Sequence, residues 1–239
     1  MKPWEVIDEA RAPSGARLTL THRGDEYAIL ADGKNLMSSR MHASEEALAE
    51  LGCQRSRELD GPCVLVGGLG MGYTLRATLD LLPKSAKVVV SELLATVVDW
   101  NRGPLAMLAK RPLEDKRVSV EIGDVAETLK SGPARFDAIL LDVDNGASGF
   151  TQARNGRLYS TDGLEIARTA LRPGGTLAVW SAAEDPAFER RLRQAGFEVK
   201  RQGVRGRLAK GAPRHSIFLG FVGKAPPKAG APKWRYRSK

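Results

Sequence analysis

The chain has 239 residues, 42% of them hydrophobic, and a formal net charge of +9. That length and apolar content suit one α/β domain with a small appendage and exclude gross disorder. No apolar run approaches the ~18 residues of a membrane span, and the acidic, polar-broken N-terminus is unlike a secretory signal, so a cytoplasmic protein without membrane contact is expected.

The charge is unevenly spread. Residues 224–239 hold six Lys/Arg and no acid, which leaves +3 for the rest of the chain. Rich in Pro, Ala and Gly, this stretch reads as a flexible basic tail whose ordinary role is solubility. Trp234 and Tyr236 among its cations keep stacking on nucleic acid open. Cys53 and Cys63 lack a CxxC or a His-rich neighbour and read as reduced thiols. His22 and His42 have too few companions for a metal site, so no metal is expected.

In chain order, residues 16–23 alternate apolar and polar, Gly24-Asp25 turns, and residues 26–31 resume an extended pattern before Asp32-Gly33 turns again. This predicts a small β-hairpin or meander. Residues 44–51 then predict a helix with Ser44 as N-cap, acids in its first turn and Gly52 at its end. Together these form a first segment, 1–60.

From residue 61 to 223 the pattern alternates strand and helix. Strands are expected at 63–66, 87–91, 117–121, 137–142, 175–181, 196–204 and 214–222, with helices at 73–82, 94–109, 124–131, 161–171 and 185–195. That order implies a Rossmann-like, seven-stranded, mostly parallel sheet with helices on both faces. The last two strands have no helix between them and form an antiparallel hairpin.

The most informative stretch is Cys63 to Gly72, an apolar run that empties into Gly67, Gly68, Gly70 and Gly72 before a helix. Glycines there let the backbone turn with positive φ and let a nucleotide lie against main-chain N–H groups at a helix N-terminus. Ligands of such sheets bind at the C-terminal ends of the strands. The second strand ends in Ser91-Glu92, where Glu92 is placed to accept hydrogen bonds from ribose hydroxyls. Gly123-Asp124 follows the third, where a short polar side chain meets an adenine edge. The fourth ends in Asp142, with Asp144 and Asn145 beyond it, and Leu171-Arg172-Pro173-Gly174-Gly175 opens the fifth.

In these features the sequence resembles class I S-adenosylmethionine-dependent transferases. In Thr74-Leu75-Arg76, Leu158-Tyr159-Ser160 and the N-terminal β-segment leading to an acidic helix, it resembles the narrower spermidine synthase (polyamine aminopropyltransferase) family. The resemblance covers roughly residues 16–223. It implies that decarboxylated S-adenosylmethionine, or S-adenosylmethionine, is held by Gly68, Gly70, Gly72, Glu92, Gly123, Asp124 and Asp142. Asp142 is then the base that takes a proton from an attacking amine, Tyr159 contacts the amine, and Glu50, Asp144 and Asn145 bind the acceptor.

Three positions depart from that family. Met71 stands where the family's glycine turn carries an Asp, Leu48-Ala49-Glu50 stands near its Tyr-His-Glu segment, and Asn145 replaces a second Asp. The expected function is therefore aminopropyl transfer to an amine such as a polyamine, with a homodimer left open. Methyl transfer to a small molecule or RNA, and a binding module without catalysis, are the alternatives, and a nicotinamide dehydrogenase is a remoter one.

Overall fold

The computed structural model describes residues 2–143, 156–206 and 214–223. The N-terminal part is a four-stranded antiparallel sheet ordered β1 (Glu5–Arg11), β2 (Arg17–Arg23), β3 (Glu26–Ala31) and β4 (Lys34–Ser38). The sequence reading missed β1 and β4. β1 is exposed along nearly all its length and so lacks the buried alternation that marks a half-covered strand. Helix α1 (Ala43–Gly52) follows. Its first residue precedes Ser44, which therefore lies inside the helix and not at the expected cap.

The second sheet has seven strands in the spatial order β10-β11-β9-β8-β5-β6-β7. Its strands are β5 (Cys63–Gly67), β6 (Lys87–Glu92), β7 (Val118–Ile122), β8 (Phe136–Leu141), β9 (Leu171–Ser181), β10 (Glu198–Arg205) and β11 (Arg214–Phe221). The five from β5 to β9 pair in parallel, and β11 pairs antiparallel with both β9 and β10. Helices α2 (Tyr73–Leu81), α3 (Ala95–Arg102), α4 (Val125–Lys130), α5 (Thr161–Ala170) and α6 (Pro186–Gln194) connect them. Two boundaries differ from expectation. α3 stops at Arg102, because Gly103-Pro104 cannot continue a helix. β9 begins at Leu171, so the Leu-Arg-Pro-Gly-Gly stretch is already strand.

Strand alternation sorts the core into two layers. Val64, Val66, Ala138, Leu140 and Ala178 face one side, where Leu48 and Ala49 of α1, Leu75 and Leu79 of α2, and Val97 and Val98 of α3 cover them. Leu65, Ile139, Leu141, Leu177 and Val179 face the other, under Leu129 of α4, Leu164 and Ala167 of α5, and Phe188 and Leu192 of α6. The small sheet joins the first layer through Leu18, Leu20 and Ile29. It is also tied down by the Trp100 indole N–H, which donates to Asp8 Oδ2 at 2.8 Å.

Asp137 is the one acid within β8. It accepts from the Cys63 backbone N–H at 2.7 Å and from Arg172 at 2.6 Å, joining β5, β8 and β9 at the end of the sheet remote from the glycine turn. Asp137→Ala would leave a backbone donor unpaired, and chemical denaturation is expected to show a loss of about 1–3 kcal/mol with little change in ligand affinity.

Candidate active site

The chain runs outward from β5 through β6 to β7, then returns to β8 on the other side of β5. The crevice between the C-terminal ends of β5 and β8 is thus the switch point of the sheet, where α/β folds bind ligands. Gly68 and Asp142 meet there. The Asp142 N–H donates to the Gly67 carbonyl at 2.9 Å. A Cβ on Gly68, whose φ is +89°, would lie 2.5 Å from the Asp142 carbonyl oxygen. Gly70 has φ +52°, and a Cβ on it would meet Met37 Cε of β4 at 2.6 Å. The turn between β5 and α2 is therefore closed from both sides by close approach. Asn101 of α3 donates to the Gly70 carbonyl at 2.8 Å, and Gly72 ends the turn in the left-handed region as the N-cap of α2.

Glu92 supports this turn as well as standing at the expected ribose position. Buried at the end of β6, it accepts from the Leu69 N–H at 2.8 Å through one oxygen and from the Leu94 N–H at 3.0 Å through the other. Next to it, at the ends of β6 and β7, stand two exposed apolar side chains that the sequence reading overlooked, Leu93 and Ile122, the latter 59% exposed. Gly123 beside them has open space, since a Cβ would touch nothing within 4 Å. Asp124 is exposed and caps α4 by accepting from the Ala126 N–H at 2.9 Å.

Asp142 follows Leu140 on the α1 and α2 side of β8. Its carboxylate is enclosed by protein although part of the residue opens to the crevice, and Oδ2 accepts from the Thr74 hydroxyl of α2 at 2.6 Å. Burial pushes its pKa up to about 6, with the Thr74 bond acting against the rise.

Facing it is a residue the sequence reading missed. Glu45 of α1 is pushed up to about 7 by burial first and then by the charge of Asp142, while the Ser44 hydroxyl, 2.5 Å from Oε2, opposes the rise. The Tyr73 phenol, pushed up to about 12 by burial and by Glu45 and Glu46, lies close to the same acid. Glu45 was passed over because one acid among Glu45, Glu46 and Glu50 on an amphipathic helix has no distinguishing mark in sequence. Only the docking of α1 on the sheet singles it out.

Both raised acids are costly when charged. Between about pH 4.5 and 7 the folded protein holds a proton on Glu45 that the unfolded chain has lost, so this group's contribution to stability falls as pH rises through that window. Glu45→Gln removes the penalty. Thermal melting is expected to show a gain of about 2–8 °C at pH 8 and none at pH 4.

Other expected site residues lie elsewhere. Glu50 is exposed on the outer side of α1, in a groove shared with His42, Glu46, Tyr73, Arg76 and Asp80, and it does not meet Asp142. Tyr159 is buried in the opposite core layer, its ring edge-on to Phe188 at 5.5 Å, away from the Thr74 and Glu45 side. Met71 is also core, 1% exposed, and so takes no part in lining the crevice. Asp144 and Asn145, and the basic tail, fall outside the described residues. Among the described residues no three His, Cys, Asp or Glu side chains gather as a metal site. No helix among them is long and apolar enough to cross a membrane.

A family model described as S-adenosyl-L-methionine-dependent methyltransferase matches residues 89–212. A polyamine aminopropyltransferase of Mycobacterium tuberculosis is 30% identical over 191 residues, covering 76% of this chain but only 35% of the relative. A protein of Azoarcus sp. named for tRNA 5-methylaminomethyl-2-thiouridine biosynthesis is 36% identical over 119 residues, 43% of this chain and 18% of that one. The chain thus spans about a third of the polyamine relative's length. The spermidine synthase of Thermotoga maritima superposes with a TM-score of 0.71 at 19% identity, over 91% of this chain and 72% of that one. A spermidine synthase crystallised with the transition-state analogue AdoDATO gives the same score at 20% identity, with the same coverage of both chains. At such identity the likeness is one of fold.

Proposed function

Because the chain belongs to the S-adenosyl-L-methionine-dependent methyltransferase family, we propose that it is a transferase that moves an aminopropyl group from decarboxylated S-adenosylmethionine to an aliphatic amine. The observation that carries this reading is the pair of buried carboxylates, Asp142 and Glu45, enclosed beside the glycine turn. Two acids that face each other in a low-dielectric crevice favour a cationic guest, and they repel the carboxylate that intact S-adenosylmethionine carries. The name of one similar protein, a polyamine aminopropyltransferase, points the same way.

The residues fit an adenosyl ligand. Gly68 and Gly70 keep side chains out of the turn, Glu92 stands at the ribose position at the end of β6, and the exposed Leu93 and Ile122 with the open space at Gly123 offer an apolar slot for adenine. The sulfonium supplies an activated carbon, so the protein's work is alignment and proton removal. Holding an amine in line with that carbon is worth up to about 7–11 kcal/mol. Asp142 accepts the amine's proton, and Glu45 across the crevice holds the positive charge of the incoming ammonium or of the aminopropyl group. In this arrangement Glu45 provides an acid from α1 where Met71 has removed one from the glycine turn.

Calorimetry separates this from methyl transfer. Decarboxylated S-adenosylmethionine is expected to bind at least tenfold more tightly than S-adenosylmethionine, a difference of about 1.4 kcal/mol. Tighter binding of the carboxylated form would reject the aminopropyl reading in favour of methyl transfer.

A further inference from the structure

Two enclosed carboxylates face the reacting amine, and only one of them needs to take its proton. We infer that Thr74 is a positioning residue whose hydroxyl, by holding Oδ2 of Asp142, leaves Oδ1 to take that proton and favours the ionised form of Asp142 that can receive it. The inference rests on the amine-transfer reading above.

The geometry leaves the hydroxyl little choice of partner. Thr74 is 2% exposed, in the first turn of α2, and its proton is spent on Asp142 Oδ2 at 2.6 Å. A helical threonine's usual alternative is the carbonyl four residues back. Here that is the Gly70 carbonyl, which already accepts from Asn101. The Thr74 backbone is fixed in turn, because its carbonyl accepts from the Thr78 hydroxyl at 2.8 Å. On the β8 side, the Asp142 N–H is tied to the Gly67 carbonyl. With its backbone and Oδ2 both held, Asp142 has Oδ1 as the oxygen left to meet an acceptor.

A donated hydrogen bond favours the ionised carboxylate. Glu45 has a hydroxyl neighbour of its own, Ser44, and the repulsion between the two acids acts on both. The described residues place around the pair Glu46 of α1, Tyr73 of α2 and His42, whose Nδ1 lies 2.8 Å from Glu46 and whose ring stacks on Tyr73. The Thr74 bond thus holds the Asp142 pKa below where burial alone would put it. In the step itself, the acceptor nitrogen bonds to the carbon beside sulfur and its proton passes to Asp142 Oδ1. The carbon–sulfur bond breaks with its electron pair left on sulfur, so the sulfonium becomes a neutral thioether.

Thr74→Val keeps the shape and removes the donor, whereas Thr74→Ser keeps the donor and removes a methyl. On the full chain, 13C NMR titration of the Asp142 carboxyl, assigned with Asp142→Asn, needs no turnover. Its midpoint is expected to rise by about one pH unit in Thr74→Val and to stay within a few tenths in Thr74→Ser. The acid limb of the pH–rate profile for transfer to 1,4-diaminobutane should move by the same amount. An unmoved midpoint in Thr74→Val, or an equal rise in both variants, would overturn the inference. A titration that behaves as expected in a protein that transfers nothing to any amine would reject the function and leave the hydrogen-bond role standing.

Discussion

Asp142→Asn is expected to lower the rate of amine transfer by about 10²–10⁴-fold, the range of a positioned general base, while changing the affinity for decarboxylated S-adenosylmethionine by less than about threefold. The asymmetry follows from where the residue sits. Its backbone, which shapes the glycine crevice through the Gly67 carbonyl, is unaltered by the substitution, and an Asn side chain still accepts from Thr74 through its amide oxygen. The capacity to take a proton is lost together with one negative charge, and Glu45 across the crevice remains to hold the cation. Steady-state kinetics with calorimetry on the same preparation reads both quantities. A fall in affinity matching the fall in rate would instead make Asp142 a binding residue.

Gly68→Ala is expected to do the reverse and strike binding and folding together. With φ at +89°, an alanine is strained wherever it points, and here its Cβ would meet the Asp142 carbonyl at 2.5 Å, a backbone atom that cannot swing aside. Strain and overpacking together cost about 2–5 kcal/mol of stability, and the forced separation of β5 from β8 opens the crevice that holds the ligand. Denaturant melts and calorimetry should both register the change. Gly203→Ala on β10 serves as the control: a Cβ there meets nothing within 4 Å, and an effect within about 0.5 kcal/mol is expected.

The large sheet was legible because each of its central strands is an apolar run that ends at a residue with a reason to be there. Val64 to Val66 empties into glycines, Val88 to Val90 into Glu92, and Ile139 to Leu141 into Asp142. The outer strands β1 and β4 were not legible, since β1 presents acids and exposed apolar groups with no buried face. The glycine turn was read from positions where backbone geometry dictates the residue type.

The amine half was not, because it depends on tertiary docking. Glu45 and Glu50 look alike in sequence, five residues apart on one helix, and only the seating of α1 over β8 and β9 turns the first inward and leaves the second outside. Tyr159 was read as a substrate contact by resemblance, yet the alternation of β8 puts Asp142 on one face of the sheet while the aromatic packs under α5 and α6 on the other.

Aminopropyl transfer is tested most directly by the products of one incubation. With decarboxylated S-adenosylmethionine and 1,4-diaminobutane, the protein is expected to release methylthioadenosine and an N-aminopropyl amine in equal amounts, at a rate that rises with pH between about 6 and 7 as Asp142 and Glu45 lose their protons. Release of S-adenosylhomocysteine from S-adenosylmethionine, with no methylthioadenosine from the decarboxylated form, would contradict it.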